Sequence, residues 1–294
     1  MLTDQAVSDG TEVRASDPSG GPTGQWDATS LRLDAYLRRI GYDGPRTPTA
    51  AVLAAVHRAH MTAIAFENLD VALGREISLD LDDLQGKLVD RGRGGYCFEH
   101  NLLLAAALTR LGFTVTRYLA RVRRGRRQIR YRAHAVLVVT IGDQQYLADA
   151  GFGDEGLVEP LPLAAGAVAE AGEWKWRIHA EGPDWVLQSL HQDGWFDLYA
   201  FRPELHHLVD FEVANYYTAH SPRSTFTGKV IAMRGNDRSR HLLRDRELSV
   251  VLPDGSGETR ELTGAQVVVA LRDVFGIRLT PEDQDMIRLR FPSA

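Results

Sequence analysis

A single cysteine, Cys97, stands in the run R-G-R-G-G-Y-C-F-E-H-N over residues 91–101. The glycines ahead of Tyr96 let the backbone turn sharply, and FEHNLLLAAALTRL behind it is rich in strong helix formers up to Gly112. Cys97 is therefore predicted at the N-terminus of a helix. There the unpaired N–H groups and the positive end of the helix dipole favour the anionic form of a thiol, the form that acts as a nucleophile. A lone cysteine without such context is ordinarily a small buried hydrophobe.

A thiol nucleophile needs a base, and the base needs a group to orient it. His134 opens the apolar run HAVLVV, and Asp149 ends QQYLAD fifteen residues later, with a turn at Gly142 between them. Two strands joined by that turn are antiparallel, so the start of the first lies beside the end of the second. His134 and Asp149 are thus expected to be neighbours, in a cysteine–histidine–aspartate arrangement suited to acyl transfer.

The elements that must position these residues fall into three stretches. The first is helical: LRLDAYLRRI with Ser30 as its N-cap and Gly41 as its stop, then AAVLAAVHRAHMTAIAF, then LDDLQGKLVDR capped by Asp80, then the Cys97 helix. In the middle, FTVTRYLARV, HAVLVVTI, QQYLADAGFG, WKWRIHA, DWVLQSLH and GWFDLYAF read as strands, with turns at Gly125, Gly142, Gly182-Pro183 and Asp193-Gly194. A small barrel or strongly bent sheet would close them. From about residue 210 the pattern is mixed: FEVANYYTAH as a helix, KVIAMRG, HLLRDRELSVV and TRELT as strands, and GAQVVVALRDVFG as a helix ending at Gly276. The expected class is α+β and multi-lobed, with a loose tail over 1–27, a helical lobe over 28–113, a β-barrel lobe over 114–209 and an α/β lid over 210–294.

Composition narrows the function classes. Hydrophobic residues at 44% and charged residues at 25% are those of an ordinary globular protein, and no apolar run approaches membrane-spanning length. The net charge of −5 argues against a general nucleic-acid binder. One cysteine forms no internal disulfide, which fits a reducing, cytoplasmic setting. The N-terminal stretch is polar and has the character of neither a secretory signal nor an anchor.

The motif RGGYCFEHN resembles the catalytic signature of the arylamine N-acetyltransferases. GYDGP and AFENLDV before it, and RAHAVLVV, D-A-G-F-G, HSPRSTF and LRDRELSVV after it, resemble that family's segments in the family's order. The resemblance implies a helical bundle, a central β-barrel and an α/β lid, with a triad of the papain and transglutaminase kind formed by Cys97, His134 and Asp149. It further implies acetyl-CoA as co-substrate, an arylamine or hydrazine acceptor and a double-displacement reaction without metal, nucleic acid or membrane; a homodimer is allowed.

Gly151, Phe152 and Phe226 fall where the resemblance places CoA or substrate contacts. Phe66, Tyr96 and Phe98 are candidate apolar walls for an aromatic ring. Glu99, His100 and Asn101 are expected to make structural hydrogen bonds. The seven arginines from Arg121 to Arg132 read as a solvated hairpin, with contact to CoA phosphates as the functional alternative. Two departures stand out: Ala133 precedes the histidine where some relatives carry a hydroxyl residue, and Ala150 follows the aspartate where valine is common. Related chemistry keeps other readings open, namely an amide synthase closing a macrolactam, a cysteine hydrolase or transglutaminase, and a redox-sensing thiol that would leave His134 and Asp149 without a role.

Overall fold

The computed structural model describes residues 26–126 and 128–292. The chain opens with α1 (Leu33–Ile40), α2 (Ala50–Ala63), the short strand β1 (Phe66–Glu67), α3 (Leu69–Ala72), α4 (Leu81–Gln85), a π-turn over Gly86–Asp90 and α5 (Cys97–Arg110). Thr49 caps α2 by accepting from the Val52 N–H, and Asp80 caps α4 through the Asp82 N–H. Gly41 closes α1 at a φ of 69°. The start of α1 differs from the expectation: Ser30 belongs to a turn in which the Leu31 N–H bonds the Ala28 carbonyl, and the helix begins two residues later, after Arg32.

An antiparallel sheet follows, made of β2 (Thr114–Val122), β3 (His134–Ile141), β4 (Gln144–Ala148), β5 (Leu161–Pro162), β6 (Val168–Ala171), β7 (Trp174–Glu181), β8 (Asp184–His191) and β9 (Gly194–Phe201). Its strand order is β5-β4-β3-β2-β9-β8-β7-β6, and the two edge strands lie against each other, so the eight strands form a nearly closed barrel. The near-continuous apolar run of β3 has a simple cause. Leu137 and Val139 face the core beneath α5, whereas Val136 and Val138 face the barrel interior with Trp176, Leu187 and Tyr199. His134 shares the parity of the barrel-facing set.

The last segment contains α6 (Leu208–His220), β10 (Ile231–Gly235), β11 (Arg240–Arg244), β12 (Glu247–Val251), β13 (Gly257–Glu261), α7 (Gly264–Asp273) and α8 (Pro281–Arg290). HLLRDRELSVV, read as one strand, is a hairpin: Asp245 turns the chain at a φ of 54° between β11 and β12. The helix α8 escaped the periodicity reading because its surface is largely polar, although Thr280-Pro281 with Asp283 is a capping box. The second sheet runs β1-β10-β11-β12-β13, so its first strand comes from the helical part of the chain, and α7 and α8 share its apolar core.

The expected tail over 1–27 lies outside the described residues up to residue 25. Its last two positions are folded: Trp26 meets the Phe211 ring edge-on at 5.3 Å, with the Arg117 guanidinium 4.6 Å from the Trp26 ring. Among the described residues no helix is long and apolar enough to cross a membrane.

Candidate active site

The sharp entry into α5 is built from close backbone approach. A Cβ on Gly94 would lie 2.0 Å from the Ala65 carbonyl oxygen, and one on Gly95 would strike the Glu99 side chain at 2.7 Å. Glu99 turns back to accept the Tyr96 main-chain N–H at 3.0 Å, half of a capping box, and thereby starts the helix at Cys97. Lys87 holds that carboxylate at 2.7 Å and Asp70 at 2.6 Å. Glu99 is thus more than a buried hydrogen-bonding group; it is clamped between the helix start and a buried ion-pair network.

His134 and Asp149 meet as the antiparallel pairing requires. Leu137 stands opposite Ala148 in the β3–β4 ladder, and beyond its end His134 Nε2 lies 2.7 Å from Asp149 Oδ2. The other ring nitrogen, Nδ1, is left for Cys97, which lines the same cavity and bears on the charge of the ring. Cys97 Sγ also lies 3.6 Å from the Ala133 carbonyl oxygen, a main-chain contact that the alanine at this position leaves unaltered. All three side chains are buried. Burial disfavours charge on His134, but the Asp149 carboxylate, its hydrogen bond and the contact with Cys97 outweigh it and raise the imidazole to about 10. Burial alone would likewise raise the Asp149 carboxyl; His134, Asn101 and the Gly151 N–H hold it below its ordinary value.

Asn101 has a larger part here than its sequence position suggested. Its Nδ2 donates to Asp149 Oδ1 at 2.8 Å and to the Ala135 carbonyl at 2.6 Å, while its Oδ1 accepts from the Ala150 N–H at 3.1 Å. The signal was present, since residue 101 is four beyond Cys97 and so on the same helix face. His57 had no such signal. It accepts the Asp149 main-chain N–H from 92 residues away.

A cavity of about 160 Å³ opens onto Cys97 and His134, lined by Phe66, Phe152, Phe226, Met233 and Gly151 among others. A Cβ on Gly151 would sit 2.9 Å from Cys97 Cα, so only glycine lets this loop come so close. Phe66 and Phe226 face each other at 5.8 Å. Asn68 fixes the segment bearing Phe226 by donating to the Phe226 carbonyl at 2.9 Å. Tyr96 and Phe98 lie behind the wall instead of on it: Phe98 is fully enclosed, and the Tyr96 hydroxyl donates to Asn215.

Of the described arginines in the run, Arg121 lies in β2, and Arg123, Arg124, Arg126, Arg130 and Arg132 lie in the segment between β2 and β3, which is longer than a tight hairpin tip. Arg123 pairs with Glu181 and Asp197, Arg124 with Asp154, and Arg132 with Glu204. Arg124 and Arg130 line the cavity of Cys97, as does Arg244 from β11; Arg127 lies outside the described residues. Among the described residues no group of three or more His, Cys, Asp or Glu side chains is arranged to hold a metal ion.

A family model described as N-acetyltransferase matches residues 49–284 of the chain. The arylamine N-acetyltransferase of Mycolicibacterium smegmatis is 38% identical over 257 residues, spanning 85% of this chain and 93% of the relative. Among solved structures, that of the Nocardia farcinica arylamine N-acetyltransferase is similar with a TM-score of 0.85 at 39% identity, covering 93% of this chain and 98% of its own. The Mycobacterium marinum arylamine N-acetyltransferase in complex with CoA is similar with a TM-score of 0.83 at 36% identity, covering 88% of this chain and 97% of its own.

Proposed function

Because this chain belongs to the arylamine N-acetyltransferase family, we propose that it moves an acetyl group from acetyl-CoA to an arylamine or hydrazine, with Cys97 as the carrier. The observation that supports this most directly is the convergence of Cys97, His134 and Asp149 on one aromatic-walled cavity, with a 2.7 Å bond from His134 to Asp149. In the first half-reaction the Cys97 thiolate adds to the thioester carbonyl carbon. The tetrahedral oxyanion is met by main-chain N–H groups of the first turn of α5, which no carbonyl of the helix accepts. The bond to the CoA sulfur breaks, and the departing thiolate takes its proton from His134.

In the second half-reaction the neutral amine adds to the acetyl-Cys97 carbonyl and gives its excess proton to His134. The bond to Cys97 sulfur then breaks, restoring the thiolate and imidazolium. Asp149 keeps the imidazole aligned and stabilises its charge, as in other triads of this logic. Gly151, Phe152 and Phe226 serve CoA and acyl contacts, Phe66 the acceptor ring, and Tyr96 and Phe98 support that wall from behind. In this reading the chain divides into a helical lobe over 28–113, a barrel over 114–209 and a lid over 210–294, with the triad of papain-type and transglutaminase enzymes at their junction. A reducing compartment such as the cytoplasm suits a thiol that must stay free for every turnover.

The test is intact mass after incubation with acetyl-CoA and no amine. One acetyl group is expected on the parent and none on Cys97→Ala. A parent whose mass stays unchanged with acetyl-CoA, propionyl-CoA and malonyl-CoA alike would overturn the reading.

A further inference from the structure

Behind Asp149 stands a side chain that the reaction does not consume. His57 lies on α2 with no exposed surface. Its Nε2 is 3.1 Å from the Asp149 main-chain nitrogen and its Nδ1 is 3.2 Å from the Val158 carbonyl oxygen. An amide N–H only donates and a carbonyl only accepts, so one arrangement of the ring satisfies both: neutral, with the proton on Nδ1 and the Nε2 lone pair facing Asp149. Burial favours the same neutral form, holding His57 below the ordinary histidine range.

These two contacts pin both ends of one loop to α2. Between Asp149 and Val158 the loop carries Gly151, Gly153 and Gly156, with Gly153 at a φ of 95°, and it supplies Phe152 to the cavity. Such a segment has little stiffness of its own. Asn101, His134 and the Gly151 N–H hold the Asp149 carboxylate, whereas His57 holds the main chain from which that carboxylate projects.

We propose that His57 is a positioning residue for the reaction, fixing the Asp149 main chain and the loop beyond it so that the carboxylate keeps His134 aligned on Cys97. This rests on the Cys97–His134–Asp149 reading above. His57→Leu approximates the volume and removes both hydrogen bonds; His57→Gln retains an acceptor and a donor on one amide. Three quantities are read on the full-length protein: melting temperature, the single-turnover rate of acetyl transfer from acetyl-CoA to Cys97, and the pH profile of Cys97 alkylation by iodoacetamide.

His57→Leu, assayed where it is folded, is expected to acetylate about 10- to 100-fold more slowly, the scale of a small misplacement of a reacting group. Its alkylation at low pH should weaken. His57→Gln should recover most of the rate and of the pH profile. If His57→Leu does not fold, His57→Asn takes its place, being too short to span both groups, and the same loss is expected. A folded Leu or Asn variant with the parent's rate and pH profile would overturn the proposal, as would a folded Gln variant that recovers neither. A parent that gains no acetyl group on Cys97 would sink the triad reading as well, so the two failures are distinguishable.

Discussion

His134 carries the electrostatics of the site, and the sign of its shift sets the expected pH behaviour. A histidine raised to about 10 in the fold keeps its proton through neutrality. Its contribution to stability is fully present below the ordinary value of 6.5 and is lost as the pH rises toward about 10. A Cys97 sulfur facing that imidazolium should react with iodoacetamide at about pH 6, where an ordinary thiol of pKa about 8.5 is slow. His134→Ala should abolish this low-pH reactivity. Asp149→Asn should shift the profile upward, because the amide neither stabilises the imidazolium nor enforces its orientation. Identical alkylation profiles for the parent and both variants, each like that of a free thiol, would remove the ion pair from the mechanism.

At the scale of elements, the start of α5 depends on partners from other segments. Lys87, in the π-turn after α4, is buried between Glu99 and Asp70. Lys87→Met keeps most of the packing but leaves the buried Glu99 carboxylate without its cation, while Asp70 keeps Arg93, so a loss of about 3–5 kcal/mol is expected by urea denaturation. A loss below about 1 kcal/mol would mean that the network relaxes freely.

A second device ties α1, α2 and α5 together. The Tyr36 hydroxyl lies 2.8 Å from His60 Nδ1, His60 Nε2 lies 3.0 Å from His100 Nδ1, and His100 Nε2 lies 3.2 Å from the Ala65 carbonyl. The terminal carbonyl only accepts, so the protons run one way along the chain and both imidazoles are neutral. Burial lowers both histidines, His100 to about 4 and His60 well below its ordinary value, with His100 beside it adding to the effect. The unfolded state therefore binds more protons below 6.5, and stability drains away as the pH falls from there toward about 4. The parent should lose about 1.4 kcal/mol per pH unit more than His100→Gln across that window, in urea midpoints converted to free energy. Parallel pH dependences would remove His100 as the cause.

At the scale of the whole molecule, the last helix is joined to the first segment by charge. Asp283 of α8 meets Arg75 at 2.6 Å and Arg93 at 3.7 Å, and Arg93 in turn pairs with Glu67 at 2.9 Å and Asp70 at 3.2 Å. The same network reaches Lys87 and so the start of α5, while β1, from the helical part of the chain, hydrogen-bonds to β10 as the edge strand of the C-terminal sheet. The C-terminal sheet and the helical segment should therefore unfold together. Asp283→Ala is expected to lower the melting temperature while leaving one calorimetric transition, because it weakens a shared network and does not free a separate unit. Two resolved transitions in the parent would contradict this coupling.

Much of this was legible in the chain itself. The glycine-rich entry to a helix, the antiparallel strands bearing His134 and Asp149, and most element boundaries follow from local rules: caps, turns and periodicity act over a few residues and leave their mark there. What the sequence could not show were contacts whose cause lies far along the chain. His57 reaches Asp149 across 92 residues, and Lys87 bridges Asp70 and Glu99 only once three segments have packed. Whether an aromatic lines a cavity or backs its wall was also beyond local pattern, since Phe66 and Phe98 are equally apolar and only packing separates the one on the cavity from the one behind it. Local sequence determined which groups are able to react; the tertiary fold decided which neighbours hold them, because hydrogen bonds and burial depend on distance in space and not on separation along the chain.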